Sequence, residues 1–68
     1  MRNTIKIRRK AVKMSQADLA ELTSVTRQTI IAIENDKYDP SLQLAFKLAE
    51  ALETNVDELF IFREDKNE

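Results

Sequence analysis

The sequence contains no cysteine, no histidine and no glycine, and its only proline is Pro40. Without cysteine or histidine the chain can form no disulfide, offers neither thiolate chemistry nor the usual zinc ligands, and lacks the commonest general base. These absences argue against an enzyme. We therefore expect no catalytic residue, no metal, no cofactor and no small-molecule substrate.

Long apolar segments are also missing. No run approaches the roughly 18 uninterrupted apolar residues of a membrane span, and none follows the charged N-terminus, so we expect neither a membrane partner nor a signal peptide. A chain of 68 residues has room for one small domain, which buries only about 60% of its unfolded surface. We expect a soluble, cytoplasmic protein with one domain over residues 1–62 and a charged tail over residues 63–68.

The charged residues are unevenly distributed along the chain. Residues 1–37 contain eight Lys and Arg against four acidic residues, a net charge of +4, whereas residues 38–68 contain three against eight, a net charge of −5. The overall charge of −1 is therefore a poor guide, because local potential steers association with a charged partner. The division suits a protein with one face toward a polyanion, although small domains also acquire uneven charge by chance.

Five helix starts can be identified from capping residues, whose side chains accept a hydrogen bond from a free backbone N–H. The predicted helices are Thr4 to about Val12 after Asn3, Gln16–Leu22 after Ser15 with Asp18, Arg27 to about Glu34 after Thr26, Pro40 to about Leu52 after Asp39, and Val56–Phe60 after Asn55 with Glu58. Each segment has one apolar stripe at helical spacing. Such short helices with short links pack better at large angles than along a bundle. The sequence predicts an all-α, compact five-helix domain.

Residues 15–34 contain two short predicted helices joined by a Thr-Ser-Val turn, which is the layout of a helix-turn-helix unit. In such a unit the second helix enters the major groove of double-stranded DNA, where Arg pairs with guanine and Gln with adenine. Because Ile30 and Ile33 serve the core, the polar start of this helix points outward. The candidate base-reading residues are Thr26, Arg27, Gln28 and Thr29.

Taken alone, this polar segment is also an ordinary capped helix start that faces solvent. Gln16 lies just after the cap of the preceding helix, and Lys37 and Tyr38 lie in the loop after the second helix. These side chains are placed to meet neighbouring phosphates. Polar side chains at three successive element boundaries favour DNA binding over the simpler interpretation.

Three segments resemble the helix-turn-helix family of phage repressors and Cro proteins, the lambda-repressor-like or XRE class. They are Met14-Ser-Gln-Ala-Asp-Leu-Ala-Glu-Leu, Val25-Thr-Arg-Gln-Thr-Ile and Ile33-Glu-Asn-Asp-Lys-Tyr-Asp-Pro-Ser-Leu. Their order and spacing match this family from about Ile5 to Phe60. The resemblance implies that residues 1–62 form a DNA-binding domain that acts as a homodimer on a palindromic operator.

The resemblance also implies roles for single residues. Arg27 and Gln28 would contact bases, with Thr26 and Thr29 supporting them at the groove wall. The positions that would meet the DNA backbone are Gln16, Asn35, Lys37 and Tyr38. Arg9 and Glu34 match the partners of a structural ion pair, which contributes little net stability but is costly to break.

The chain departs from this family at several positions. The family often has glycine where this chain has Lys13, Ser24 and Asp36, at points where the chain leaves a helix with positive φ. If the left-handed conformation is kept, a residue other than glycine lowers the stability of the fold there by of order 1 kcal/mol. Ala32 replaces a longer base-reading side chain of some members, so we expect a narrower reading surface.

The segment Phe60-Ile61-Phe62 places three large apolar residues in a row, more than one helix face can bury. We interpret them as a twofold dimer interface, with Ile61 and Phe62 in a short strand paired to the same strand of a second copy. The alternative is that this segment folds back on the first helix, where Ile5 and Ile7 also need cover.

Three functional hypotheses follow. The leading one is a dimeric, operator-binding transcriptional repressor that acts by occlusion. The alternative is an antitoxin-like protein that binds a partner protein and autoregulates its operon, which an apolar patch left exposed after dimerisation would favour. The third is a structural scaffold without DNA affinity, for which the acidic half of the chain is the only argument.

Overall fold

The computed structural model describes residues 1–61 of the chain. It contains two short strands and five helices: β1 (Arg2–Asn3), α1 (Ile5–Ala11), α2 (Gln16–Leu22), α3 (Arg27–Glu34), α4 (Leu42–Ala51), α5 (Val56–Leu59) and β2 (Phe60–Ile61). The predicted five-helix domain is confirmed. Over these residues, no helix combines the length and the apolar character needed to cross a lipid bilayer.

One apolar core joins all five helices and β2. Its members are Ile5, Leu19, Ala20, Ile30, Ile33, Ala45, Leu48, Ala49, Leu52, Leu59 and Phe60. Ile30 and Ile33 on α3 are 0% and 1% exposed, so the opposite face of this helix is directed away from the protein. The buried stripe thereby determines which side chains of α3 a ligand can reach.

Local side-chain caps set the starts of α2 and α3 where the sequence predicted them. The Ser15 hydroxyl accepts a hydrogen bond from the Asp18 N–H at 2.9 Å, and the Asp18 carboxylate accepts one from the Ser15 N–H at 3.2 Å. At α3, the Thr26 hydroxyl accepts a hydrogen bond from the Thr29 N–H at 3.2 Å. Each cap joins residues three positions apart, so the local sequence is enough to determine it.

The predicted start of α4 was wrong. Ser41 is the N-cap, because its hydroxyl accepts a hydrogen bond from the Leu44 N–H at 3.1 Å, and α4 therefore begins at Leu42 and not at Pro40. The Asp39 carboxylate instead accepts a hydrogen bond from the Met1 α-ammonium at 2.8 Å. This hydrogen bond is the main cause of a raised pKa of the Met1 ammonium.

The first and last helices also differ from prediction. Asn3 lies in β1 and Thr4 is the N-cap residue of α1, although the Asn3 amide oxygen still accepts a hydrogen bond from the Ile5 N–H at 3.1 Å. In α5, Asn55 caps the Glu58 N–H at 2.8 Å. The Glu58 carboxylate pairs with the Arg8 guanidinium at 3.4 Å and so does not serve the predicted capping box.

The C-terminal strand pairs within its own chain. β2 is antiparallel to β1, with Arg2 opposite Ile61 and Asn3 opposite Phe60. β1 occupies one edge of β2, and Phe60 is buried in the core at 6% exposure. The pairing of this strand with a second copy stays a prediction. Of the predicted dimer-interface residues, Ile61 is 40% exposed, and Phe62 lies outside the described residues.

The first four helices end in the same way, in Schellman motifs. The residue after each C-cap is left-handed: Lys13, Ser24, Asp36 and Glu53 have φ values of 60°, 62°, 61° and 57°. The N–H of the next residue donates to a carbonyl oxygen five positions earlier, in the pairs Met14–Arg9, Val25–Ala20, Lys37–Ala32 and Thr54–Ala49, at 2.8–3.0 Å. Three of the four positions agree with the implied helix exits, whereas Glu53 was not predicted.

Candidate nucleic-acid interface

The turn between α2 and α3 fixes the direction in which α3 leaves it. The Thr23 side chain is buried, and its hydroxyl donates a hydrogen bond to the Leu19 carbonyl oxygen at 2.8 Å. Ser24 then takes the left-handed conformation, and Val25 packs against the core. With both sides of the turn tied to buried groups, α3 is presented as a rigid element and not as part of a loop.

The outward face of α3 begins with Arg27 and Gln28, which are both exposed. Successive residues of a helix are rotated by about 100°. Gln28 therefore lies about 160° around the axis from Ile30, directly away from the core, and Arg27 lies to one side of it. The sequence-predicted base readers thus stand together on the first turn of α3, with their polar groups in solvent.

Thr26 and Thr29 flank this pair and contact each other. Their hydroxyl oxygens are 3.1 Å apart, and the Thr26 hydroxyl also caps the Thr29 N–H. Thr26 is exposed and Thr29 is half-buried. These hydroxyls therefore fix the shape of the helix start, and one face of Thr26 remains open toward solvent.

Gln16 belongs to a buried polar network that joins α1, α2 and α3. The Arg9 Nε donates to Glu34 Oε2 at 2.7 Å and the Gln16 Nε2 donates to Glu34 Oε1 at 3.1 Å. The Arg9 and Glu34 side chains are only 8% and 3% exposed. A second Arg9 nitrogen donates to the Met14 carbonyl oxygen at 2.9 Å, so the network also holds the turn before α2.

The sequence did not reveal the hydrogen bond between Gln16 and Glu34. It joins the first residue of α2 to the last residue of α3, so it depends on how the two helices cross and not on local sequence. It uses one of the two N–H groups of the Gln16 amide. Within residues 1–61 the other N–H has no partner, so it is available for a contact outside the network.

Asn35, Lys37 and Tyr38 lie beyond the opposite end of α3, and all three are exposed. The Lys37 backbone is held by the hydrogen bond of its N–H to the Ala32 carbonyl oxygen at 2.8 Å. An eight-residue helix is about 12 Å long at about 1.5 Å per residue. These polar side chains are therefore separated from Arg27 and Gln28 by the length of the helix.

Two residues of the outward face are apolar. Ala32 and Ile31 are both half-buried. No role was predicted for Ile31, although the Ile-Ile-Ala-Ile run of α3 contains one more isoleucine than a single buried stripe can use. This extra isoleucine was the sequence feature that could have indicated an apolar residue on the outward face.

A separate apolar face lies on α4. Leu42 and Phe46, four residues apart on this helix, are 69% and 59% exposed. Beside them is a groove of about 300 Å³, lined by Met1, Pro40, Leu42, Ala45, Val56, Asp57 and Phe60. This exposed apolar face of α4 was not predicted from the sequence.

The chain is similar to known proteins in both sequence and fold. A family model described as helix-turn-helix matches residues 5–59. An uncharacterized HTH-type transcriptional regulator of Methanocaldococcus jannaschii is 47% identical over 66 residues, covering 97% of this chain and 100% of that protein. The restriction-modification controller protein C.AhdI from Aeromonas hydrophila has a TM-score of 0.77 and 34% identity, over 82% of this chain and 85% of that chain.

A second solved structure shows the same unit inside a larger protein. The hydroxypropylphosphonic acid epoxidase of S. wedmorenis has a TM-score of 0.70 and 36% identity over 76% of this chain. The match covers only 28% of that chain. The likeness is therefore to one part of that enzyme.

Proposed function

This chain belongs to the helix-turn-helix family of transcriptional regulators, and we propose that it binds double-stranded DNA as a dimeric repressor of a palindromic operator. The observation that carries the proposal is the exposure of Arg27 and Gln28 on the first turn of a helix whose other face is locked by Ile30 and Ile33. Such a helix can be inserted into the major groove without any change in the core.

Each polar group of the site has a DNA counterpart. Arg27 can donate two hydrogen bonds to the O6 and N7 of guanine, and Gln28 can pair with the N6 and N7 of adenine, each worth about 1–3 kcal/mol of discrimination. The phosphate contacts come from side chains near the C-terminal end of α3: Gln16, through its remaining amide N–H, and Asn35, Lys37 and Tyr38. Such contacts fix the position of the protein on the duplex and carry no sequence information.

Two copies are needed to read a useful length of DNA. One domain contacts only a few base pairs, whereas two recognition helices about 34 Å apart reach successive major grooves. We assign the twofold contact to the exposed α4 residues Leu42 and Phe46 with Ile61, because Phe60 is committed to the core of its own chain. Leu42 and Phe46 lie four residues apart on one helix face, and contiguous exposed apolar surface, unlike single exposed side chains, marks a protein interface.

We propose repression by occlusion as the regulatory mode. A dimer bound across an operator covers DNA that the transcription machinery requires, and this needs no catalytic group. The names of similar proteins, a transcriptional regulator and a restriction-modification controller protein, support a regulatory role in general.

The test is selection of bound duplexes from a random DNA pool at near-physiological salt, followed by titration of the best sequence against shuffled DNA. We expect a palindrome with half-sites about one helical turn apart, bound at least about a thousandfold more tightly than shuffled DNA. Arg27→Ala should flatten the preference at one base pair per half-site. Lys37→Ala should weaken binding to all sequences alike and lower the slope of log affinity against log salt by about one.

Absence of any enriched sequence would contradict DNA reading. The helix-turn-helix would then serve as a scaffold, and an antitoxin-like role with a protein partner would become the better proposal. If Lys37→Ala altered sequence preference and Arg27→Ala changed only the salt dependence, the roles of the two residues would have to be exchanged.

A further inference from the structure

We propose that Ile31 determines part of the operator sequence by packing against the C5-methyl group of a thymine in the major groove. This inference rests on the proposed function and assigns a further specificity residue to the same surface. Ile31 would act one helical turn beyond Arg27 and Gln28, and it would supply an apolar contact that neither polar residue provides.

The first observation is that Ile31 does not belong to the core. Ile30 and Ile33 are buried at 0% and 1% exposure and are members of the core cluster. The partly buried apolar residues that pack against this cluster are Met14, Val25, Leu44, Ala51 and Val56. Within residues 1–61, Ile31 is in neither group, although its side chain is as large as that of its two neighbours.

The second observation is the position of Ile31 on the helix. It follows Arg27 by four residues and Gln28 by three, so at about 100° per residue it is rotated from them by about 40° and 60°. It therefore lies between them around the axis. Helical side chains lean toward the N-terminus of their helix and cover the preceding turn, so the Ile31 side chain extends toward the same base pairs.

The third observation concerns Ala32, the next residue of the same face. Its single methyl group is half-buried, and it leaves room beside Ile31 for a base edge. Thymine alone among the four bases presents a methyl group in the major groove. A branched aliphatic side chain without polar atoms can gain affinity there only by burying such a group.

The expected size of the effect follows from burial of one methyl group. We expect about a fourfold change in affinity for each half-site, which corresponds to about 0.8 kcal/mol. Two equivalent contacts in a palindrome give about a fifteenfold change. This effect is smaller than loss of a bidentate polar contact, so it must be measured one position at a time.

The experiment replaces each thymidine of the selected operator, symmetrically in both half-sites, with deoxyuridine. The two nucleosides differ only by the C5-methyl group. For the wild-type protein we expect one position where the replacement weakens binding by about fifteenfold. It should lie about one base pair from the position at which Arg27→Ala relaxes the preference. For Ile31→Ala the replacement should have no effect at that position.

Ile7→Ala is the matched control. It removes the same side chain from α1, where Ile7 is 72% exposed and distant in sequence from the reading helix. This variant should keep the wild-type deoxyuridine profile. Thermal unfolding of both variants shows whether either substitution affects the fold.

The outcomes separate the two proposals. A selected operator with no sensitive thymine, or with the same sensitivity in the wild type and in Ile31→Ala, overturns the methyl contact and leaves the proposed function intact. A large loss of thermal stability in Ile31→Ala with an unchanged profile also overturns it, because Ile31 would then be a packing residue. Failure to select any operator removes the proposed function and this inference with it.

Discussion

Replacing Lys13 with glycine should stabilise the domain. Lys13 ends α1 with φ at 60°, a conformation that costs a residue with a Cβ atom about 1–2 kcal/mol. Glycine avoids this cost but loses about 0.5–1 kcal/mol more backbone entropy on folding. The net expected gain in the free energy of unfolding is about 0.5–1 kcal/mol.

The hydrogen bonds of this helix end do not depend on the Lys13 side chain. The Lys13 N–H donates to the Lys10 carbonyl oxygen at 3.1 Å and the Met14 N–H to the Arg9 carbonyl oxygen at 2.9 Å. The side chain itself is exposed. Glycine therefore keeps the Schellman motif and removes only the Cβ atom and one surface charge.

Urea unfolding followed by far-ultraviolet circular dichroism measures this gain as a higher midpoint with an unchanged slope. In a domain of this size, 1 kcal/mol corresponds to about 4–8 °C in Tm. Lys13→Ala is the control, because it removes the charge and retains the Cβ atom. The reasoning about left-handed strain fails if Lys13→Gly is no more stable than Lys13→Ala.

The left-handed residue at the end of α4 should respond in the same way. Glu53 has φ at 57° and is exposed, so Glu53→Gly should add a similar gain, and the double variant should show the sum, since distant sites are usually additive. Asp36→Gly should give a smaller gain in the free energy of unfolding. Aspartate tolerates the left-handed region better than lysine or glutamate, and the Asp36 carboxylate also accepts a hydrogen bond from the Asn3 amide at 3.4 Å.

Three further predictions concern charges and the apolar face. Arg9→Ala leaves the buried Glu34 carboxylate without its charged partner and should cost about 3–5 kcal/mol, which lowers Tm steeply in a domain of this size. A melt near the wild-type Tm would refute a buried pair. Because folding raises the pKa of the Met1 ammonium above its ordinary value of 8.0, this group stabilises the folded protein. The stabilisation is complete below pH 8.0 and is lost as pH rises through the raised pKa. Wild-type stability should therefore fall more from pH 7 to 10 than that of Asp39→Asn, measured by urea midpoints. Phe46→Glu should shift the sedimentation equilibrium toward monomer and lower Tm, because the second copy no longer stabilises the folded chain. A persisting dimer would place the twofold contact elsewhere.

The elements that could be predicted from sequence are those that local contacts determine. The caps at Ser15 and Thr26 act over three residues, so the bounds of α2 and α3 agree with prediction. The outward direction of Gln28 also follows from local spacing, because the buried residues Ile30 and Ile33 lie on the opposite face of α3.

The parts that sequence did not predict depend on contacts between distant residues. Before α4, the predicted cap Asp39 is instead hydrogen-bonded to Met1, 38 positions away, and Ser41 caps the helix. The β1–β2 pair likewise joins the two ends of the described chain, and strands of two residues are too short to show a period. At the site, the bond between Gln16 and Glu34 requires the observed crossing of α2 and α3.

The division of α3 into two faces bears on how such a regulator can diversify. Arg9 and Glu34 depend on each other and on Gln16, so a change at one of them requires compensation elsewhere. Arg27 and Gln28 project into solvent, and substitutions there should leave the core and the polar network undisturbed. A duplicated gene could therefore acquire a new operator through substitutions on this face alone, with no intermediate that has lost its stability.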